Sequence, residues 1–136
     1  MFIGGSETAP SVVRSKTATF YDSGQQTLTQ AGQVSLTHGL GGKPDGMTLV
    51  LVCLTPEYGY VAGDEVVVPA AMYIDALTRY YGCSIIVTGT TFDVQLGNKA
   101  GVFWVHRRDA GNLGNVSTVT AASWAWVIRA FRLKRT

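Results

Sequence analysis

Apolar and polar positions alternate clearly from Gln26 onward. Val34, Leu36 and His38 alternate with Ser35 and Thr37, a period of two that buries one face of a strand. Gly39 to Gly46, with Pro44-Asp45-Gly46 at its end, is a dense turn signal. Met47–Leu54 is a near-continuous apolar run, expected as a strand covered on both faces. A loop over 55–64 leads to Val66–Val68, a short strand stopped by Pro69. Tyr73, Leu77, Tyr80 and Tyr81 share one helical face, and with Pro69 before and Gly82 after they predict a short helix over 70–81. A tyrosine-rich loop is the alternative there. Phe92, Val94 and Leu96 alternate with Asp93 and Gln95, and Val102–Arg108 is expected to return beside them as a hairpin across the 97–101 turn. Ser123–Leu133 closes the pattern as a strand apolar on both faces, which calls for a central place in a sheet or an oligomer contact.

Short strands separated by turn signals, without βαβ alternation, predict an all-β fold: an antiparallel β-sandwich of about six to eight strands. Residues 26–136 are expected to form it. Residues 1–25, rich in Gly, Ser and Thr, are expected as an extended N-terminal arm with one strand near 15–21. The arm's Phe2, Ile3, Val12, Val13 and Phe20 suit docking either on its own domain or on a neighbour, since disordered tails carry few such residues.

The 136 residues fit one domain. Only 15% are charged, against about 25% in an average chain, and mean hydropathy is above zero. A surface short of charge suits a protein that buries part of its exterior against neighbours, a compact soluble monomer with a polar uncharged coat being the alternative. The net charge of +2 is too small to propose nucleic acid as a partner. The basic residues nevertheless crowd the C-terminal end, where Arg129, Arg132, Lys134 and Arg135 suit an acidic partner surface or an ordinary solvated end. No apolar stretch approaches the roughly 18 residues of a membrane span, so membrane insertion is not expected. The opening MFIGGSETAP lacks the basic and apolar regions of a signal peptide.

Chemistry-bearing patterns fail individually. Gly42-Lys43 resembles the end of a phosphate loop, but Thr37 stands where its first glycine belongs and Pro44 where it needs Ser or Thr. Gly39-Leu40-Gly41 precedes a strand rather than the helix of a dinucleotide fold. His38 and His106 have no serine or cysteine with an acid beside them, and are expected as structural residues. Cys53 and Cys83 lack zinc-ligand spacing and are expected as buried free thiols, a single disulfide being the alternative. No catalytic residue, metal site or cofactor is therefore expected. Asp64-Glu65 is the one close acidic pair, weak as a calcium site and better suited to fixing a turn. Tyr58 and Tyr60, with Asp64 and Glu65, are the loop residues suited to a ligand, because flat rings stack on sugars. Trp104, Trp124 and Trp126 are expected in the core.

The stretch Thr37-His38-Gly39-Leu40-Gly41 to Pro44, the LVLVCL strand, Gly59-Tyr60, Gly63-Asp64-Glu65-Val66 and the closing Ser123-Trp124 with Arg129-Ala130-Phe131 resemble a known pattern. It is that of small proteins from tailed-phage and prophage structural modules. The resemblance spans Gln26–Arg132. Ser84–Leu96 and Ser123–Arg129 also resemble the H-type lectin pattern, a six-stranded sandwich that trimerises and binds sugars at subunit boundaries. Together these imply a non-enzymatic virion component, assembled in the host cytoplasm. It would serve as a homo-oligomer, expected as a trimer, decorating a capsid or forming part of a fibre or tail. Its N-terminal arm and basic C-terminus would hold it to other virion proteins. The alternative they imply is a module that recognises a host-surface glycan.

Overall fold

A computed structural model of the chain describes residues 10–14, 17–68, 73–74 and 80–135, with the backbone alone at 73–74. Thirteen strands lie among the described residues. They are β1 (Ser11–Arg14), β2 (Ala18–Asp22), β3 (Gln26–Thr27), β4 (Gln33–Thr37), β5 (Gly46–Cys53), β6 (Glu65–Val67) and β7 (Tyr73–Ile74). There follow β8 (Tyr80–Tyr81), β9 (Cys83–Val87), β10 (Thr91–Leu96), β11 (Trp104–His106), β12 (Val116–Thr118) and β13 (Trp124–Leu133). The count exceeds the expected one because several are two- or three-residue pairings at loop ends. The fold is all-β, antiparallel and sandwich-like.

The main sheet runs β1-β2-β13-β5-β6, with β3 beside β13 beyond the end of β2. The doubly apolar β13 is thus central, which accounts for most of its burial without a partner. One face of it, Trp124, Trp126, Ile128 and Ala130, packs into the principal core. Leu49, Leu51 and Cys53 of β5 join it from the same face. The second sheet, β4-β10-β9, contributes Leu36, Phe92, Val94, Leu96 and Cys83. On the opposite face of the main sheet Val50, Val52 and Val127 form a smaller buried cluster.

Three expectations are corrected. First, residues from Ser11 onward are not a separate arm. β2 pairs β13 from Asp22↔Arg129 to Ala18↔Leu133, and Tyr21 lies in the core. Ser23 and Gly24 belong to a bulge in this pairing. Ser23, Gly24 and Gln25 face only Val127 and Ile128 before pairing resumes at Gln26↔Trp126. Gly24 takes φ +70°, and the Ser23 hydroxyl accepts the Ile128 N–H at 2.9 Å in place of a ladder bond. Second, the helix over 70–81 is replaced at its described positions by a small hairpin, Tyr73↔Tyr81 and Ile74↔Tyr80. The remainder of that segment lies outside the described residues. Third, β10 does not pair the Val102–Arg108 segment. Both its edges are taken, by β4 and β9, so β11 turns away and pairs β12.

Candidate functional site

The loop proposed for a ligand is fastened to the protein itself. Glu57-Tyr58-Gly59-Tyr60 is a two-residue hairpin closed by reciprocal backbone bonds, with φ +55° at Tyr58 and +88° at Gly59. The Tyr58 hydroxyl donates to the Thr118 carbonyl and the Tyr60 hydroxyl to the His106 carbonyl, each at 2.7 Å. The Tyr60 ring stands edge-on to Trp124, and Arg107 lies over the Tyr58 ring. The Glu57 carboxylate accepts from the Thr120 N–H, the Thr120 hydroxyl and the Trp124 indole. Asp64 accepts the Val61 N–H at 2.9 Å and so fixes a turn. Glu65 receives both terminal nitrogens of Arg129 at 2.7 Å, which holds its carboxyl below the usual value. All four predicted ligand residues therefore have partners within the chain, and the structure does not gather them round a common cleft.

The predicted assembly residues fare differently. Phe2 and Ile3 lie outside the described residues. Val13, Phe20, Phe131 and Gly46 form one continuous row across β1, β2, β13 and β5, on the face away from the principal core. Phe20 is 43% exposed, Phe131 36% and Leu133, two positions on along the same face, 51%. The Phe131 ring lies over Gly46, where a Cβ would collide with it. Arg129 is not part of a free basic patch, because it spans Glu65 and Asp22, the latter at 3.2 Å. These two acids raise its own pKa further.

Arg132, Lys134 and Arg135 instead line a cleft of about 420 Å³ with Arg14, Ala18, Thr19, Leu40, Gly41 and Leu133. Arg14 and Arg132 flank Thr19 in one row of the sheet, so both project from the same face. Val12, two residues before Arg14 on the edge strand β1, is exposed. Arg135 is bidentate to Asp45, whose carboxyl is held down to about 2 chiefly by that bond and by the Leu133 N–H. The Lys134 backbone N–H donates to the Thr17 carbonyl, tying the end of the chain to the start of β2.

Sequence reasoning missed Arg14, Phe131 and Leu133 at this end. Strand parity was the available signal, since Phe131 and Leu133 share a face once Trp124–Leu133 is read as a strand. It also missed a second cleft of about 350 Å³ lined by Tyr81, Trp104, Val116 and Thr118. There Tyr81 and Trp104 meet edge-on at 5.2 Å, Lys99 approaches the Tyr81 ring, and the Tyr81 hydroxyl lies 2.6 Å from that of Thr118. Trp104 is therefore half-buried at a cleft rather than a core residue. Among the described residues no group of three or more His, Cys, Asp and Glu is placed to hold a metal. Compared with known proteins, the chain matches no family model and no curated protein.

Proposed function

We propose that the chain is a non-enzymatic structural module of a phage particle, assembling with copies of itself, as a trimer, and with other virion proteins. The observation that carries the self-association is the Val13–Phe20–Phe131 row with Leu133 below it, an apolar strip on the outer face of the main sheet. Large rings left half-open side by side are characteristic of an association surface, whereas scattered single apolar residues are not. The assignment to a virion, as capsid decoration or as a fibre or tail part, is supported by the resemblance over Gln26–Arg132. Replacing Phe20 and Phe131 together by serine tests the reading. The double variant should keep its far-ultraviolet spectrum and lose its oligomeric mass; an unchanged mass would remove the strip from the interface.

A second reading, recognition of a host glycan, is favoured by the Tyr81–Trp104 cleft, where ring faces, a hydroxyl and a lysine stand together. Saturable binding on a glycan array that Trp104→Ala abolishes would support it. A flat response across the array would remove it.

A further inference from the structure

The cleft at the C-terminal end of β13 gathers basic side chains among the described residues. Among the described lining residues Arg14, Arg132, Lys134 and Arg135 are basic, and none is acidic. The nearby Asp45 is already taken by Arg135 and the Leu133 N–H. Among the described residues no hydrogen bond or ion pair reaches the Arg132 guanidinium, and its Nε is buried without a partner. A buried, unpaired N–H on a cation is costly, and such a group commonly marks a place that a ligand completes.

Arg132 is also held in position before any ligand arrives. Its guanidinium lies flat against the Gly41-Gly42 backbone, so closely that a Cβ at Gly42 would stand 2.6 Å from Nε. Gly42 thus leaves the space that Arg132 fills. A planar fork fixed in this way suits a planar two-oxygen acceptor. Thr19 lies between Arg14 and Arg132 in their row, while Leu40 and Ala18 are buried beside the cleft. Phosphate alone would meet one or two of these cations, whereas a peptide segment carrying several carboxylates meets them together.

We infer that this cleft binds an acidic segment of a partner protein, with Arg132 and Arg14 receiving its carboxylates. The inference rests on the assembly reading above and supplies the attachment point to a different protein. The second row of the same strand end, Phe20 and Phe131, stays free on the opposite face for self-association.

The test is calorimetric titration of the full-length chain with three probes: a hexapeptide alternating Glu and Leu, its Gln/Leu counterpart, and inorganic phosphate. The acidic peptide should bind, more weakly as salt rises. Its affinity should fall about tenfold or more in Arg132→Gln, the scale of one charge-assisted hydrogen bond. Arg14→Gln, altering an exposed side chain outside the core, should weaken it in the same direction and covers the case in which Arg132→Gln fails to fold. Equal binding of the Gln/Leu peptide, no loss in a folded Arg14→Gln and Arg132→Gln, or phosphate binding as tightly as the peptide would each overturn the inference. So would no binding of the acidic peptide. Light scattering on the same samples separates the two readings. An oligomer that ignores the peptide contradicts this inference alone, and a monomer that binds it contradicts the self-association alone.

Discussion

Ser23 and Tyr21 sit two positions apart in the same bulged region and carry opposite accounts. The Ser23 hydroxyl accepts the Ile128 N–H in the middle of the sheet, fully buried. Ser23→Ala should therefore destabilise the fold by about 1–3 kcal/mol, measured by denaturant titration, the scale of an orphaned buried donor. The Tyr21 hydroxyl is buried without a hydrogen-bond partner among the described residues, and burial, with Asp22 nearby, pushes its pKa up to about 12. Tyr21→Phe removes a desolvated polar atom and keeps the ring against His38 and Phe92, so it should raise stability by up to about 1 kcal/mol. His38 is wholly buried and fully used. Its Nε2 donates to the Thr88 carbonyl at 3.0 Å, while Nδ1 accepts the Leu40 N–H at 3.1 Å. The expectation of a structural histidine on an alternating strand thus matches its placement. His38→Ala should cost about 2–4 kcal/mol, from an unpaired N–H and a cavity together.

At the scale of elements, legibility followed the length and regularity of the apolar pattern. β4, β5, β10 and β13 were visible as strands because each alternates or runs apolar over five residues or more. β2 was visible only as a strand near 15–21 within an arm, because the Ser-Gly-Gln bulge after it separates it from the β3 pairing and makes the sequence look like linker. The 70–81 window failed for a different reason. Tyrosines spaced by four and seven fit a helical face, yet tyrosine itself favours strands, and local spacing cannot register a pairing partner. The β10 hairpin failed because sequence shows which segments are strands and not which edges are already occupied. The candidate site was half legible for the same reason. Arg132, Lys134 and Arg135 stand together in sequence, but Arg14 reaches them only through β1-β2-β13 pairing. Arg129 looked like their neighbour, and strand alternation sends it to the other face, against Asp22 and Glu65.

Titration ties these local arrangements to the whole molecule. Burial raises Cys83 from 9.0 to about 11 and Tyr21 from 10.0 to about 12. A folded-state pKa above the unfolded one contributes stability that is complete below the unfolded value and lost as pH rises through the folded one. The thermal midpoint should hold from neutral pH to about 9 and then fall toward 12, less steeply in Tyr21→Phe. Glu65 works in the opposite direction. Hydrogen bonding to Arg129 lowers its pKa from 4.5, so its contribution is present above that value and fades as pH drops below it.

The central claim concerns association, and the mass of the full-length chain in solution tests it most directly. Multi-angle light scattering should find a concentration-independent species near three times the 14.6 kDa chain mass. A monodisperse 14.6 kDa species over the same concentrations would contradict the account, and would leave the Phe20–Phe131–Leu133 strip as exposed surface.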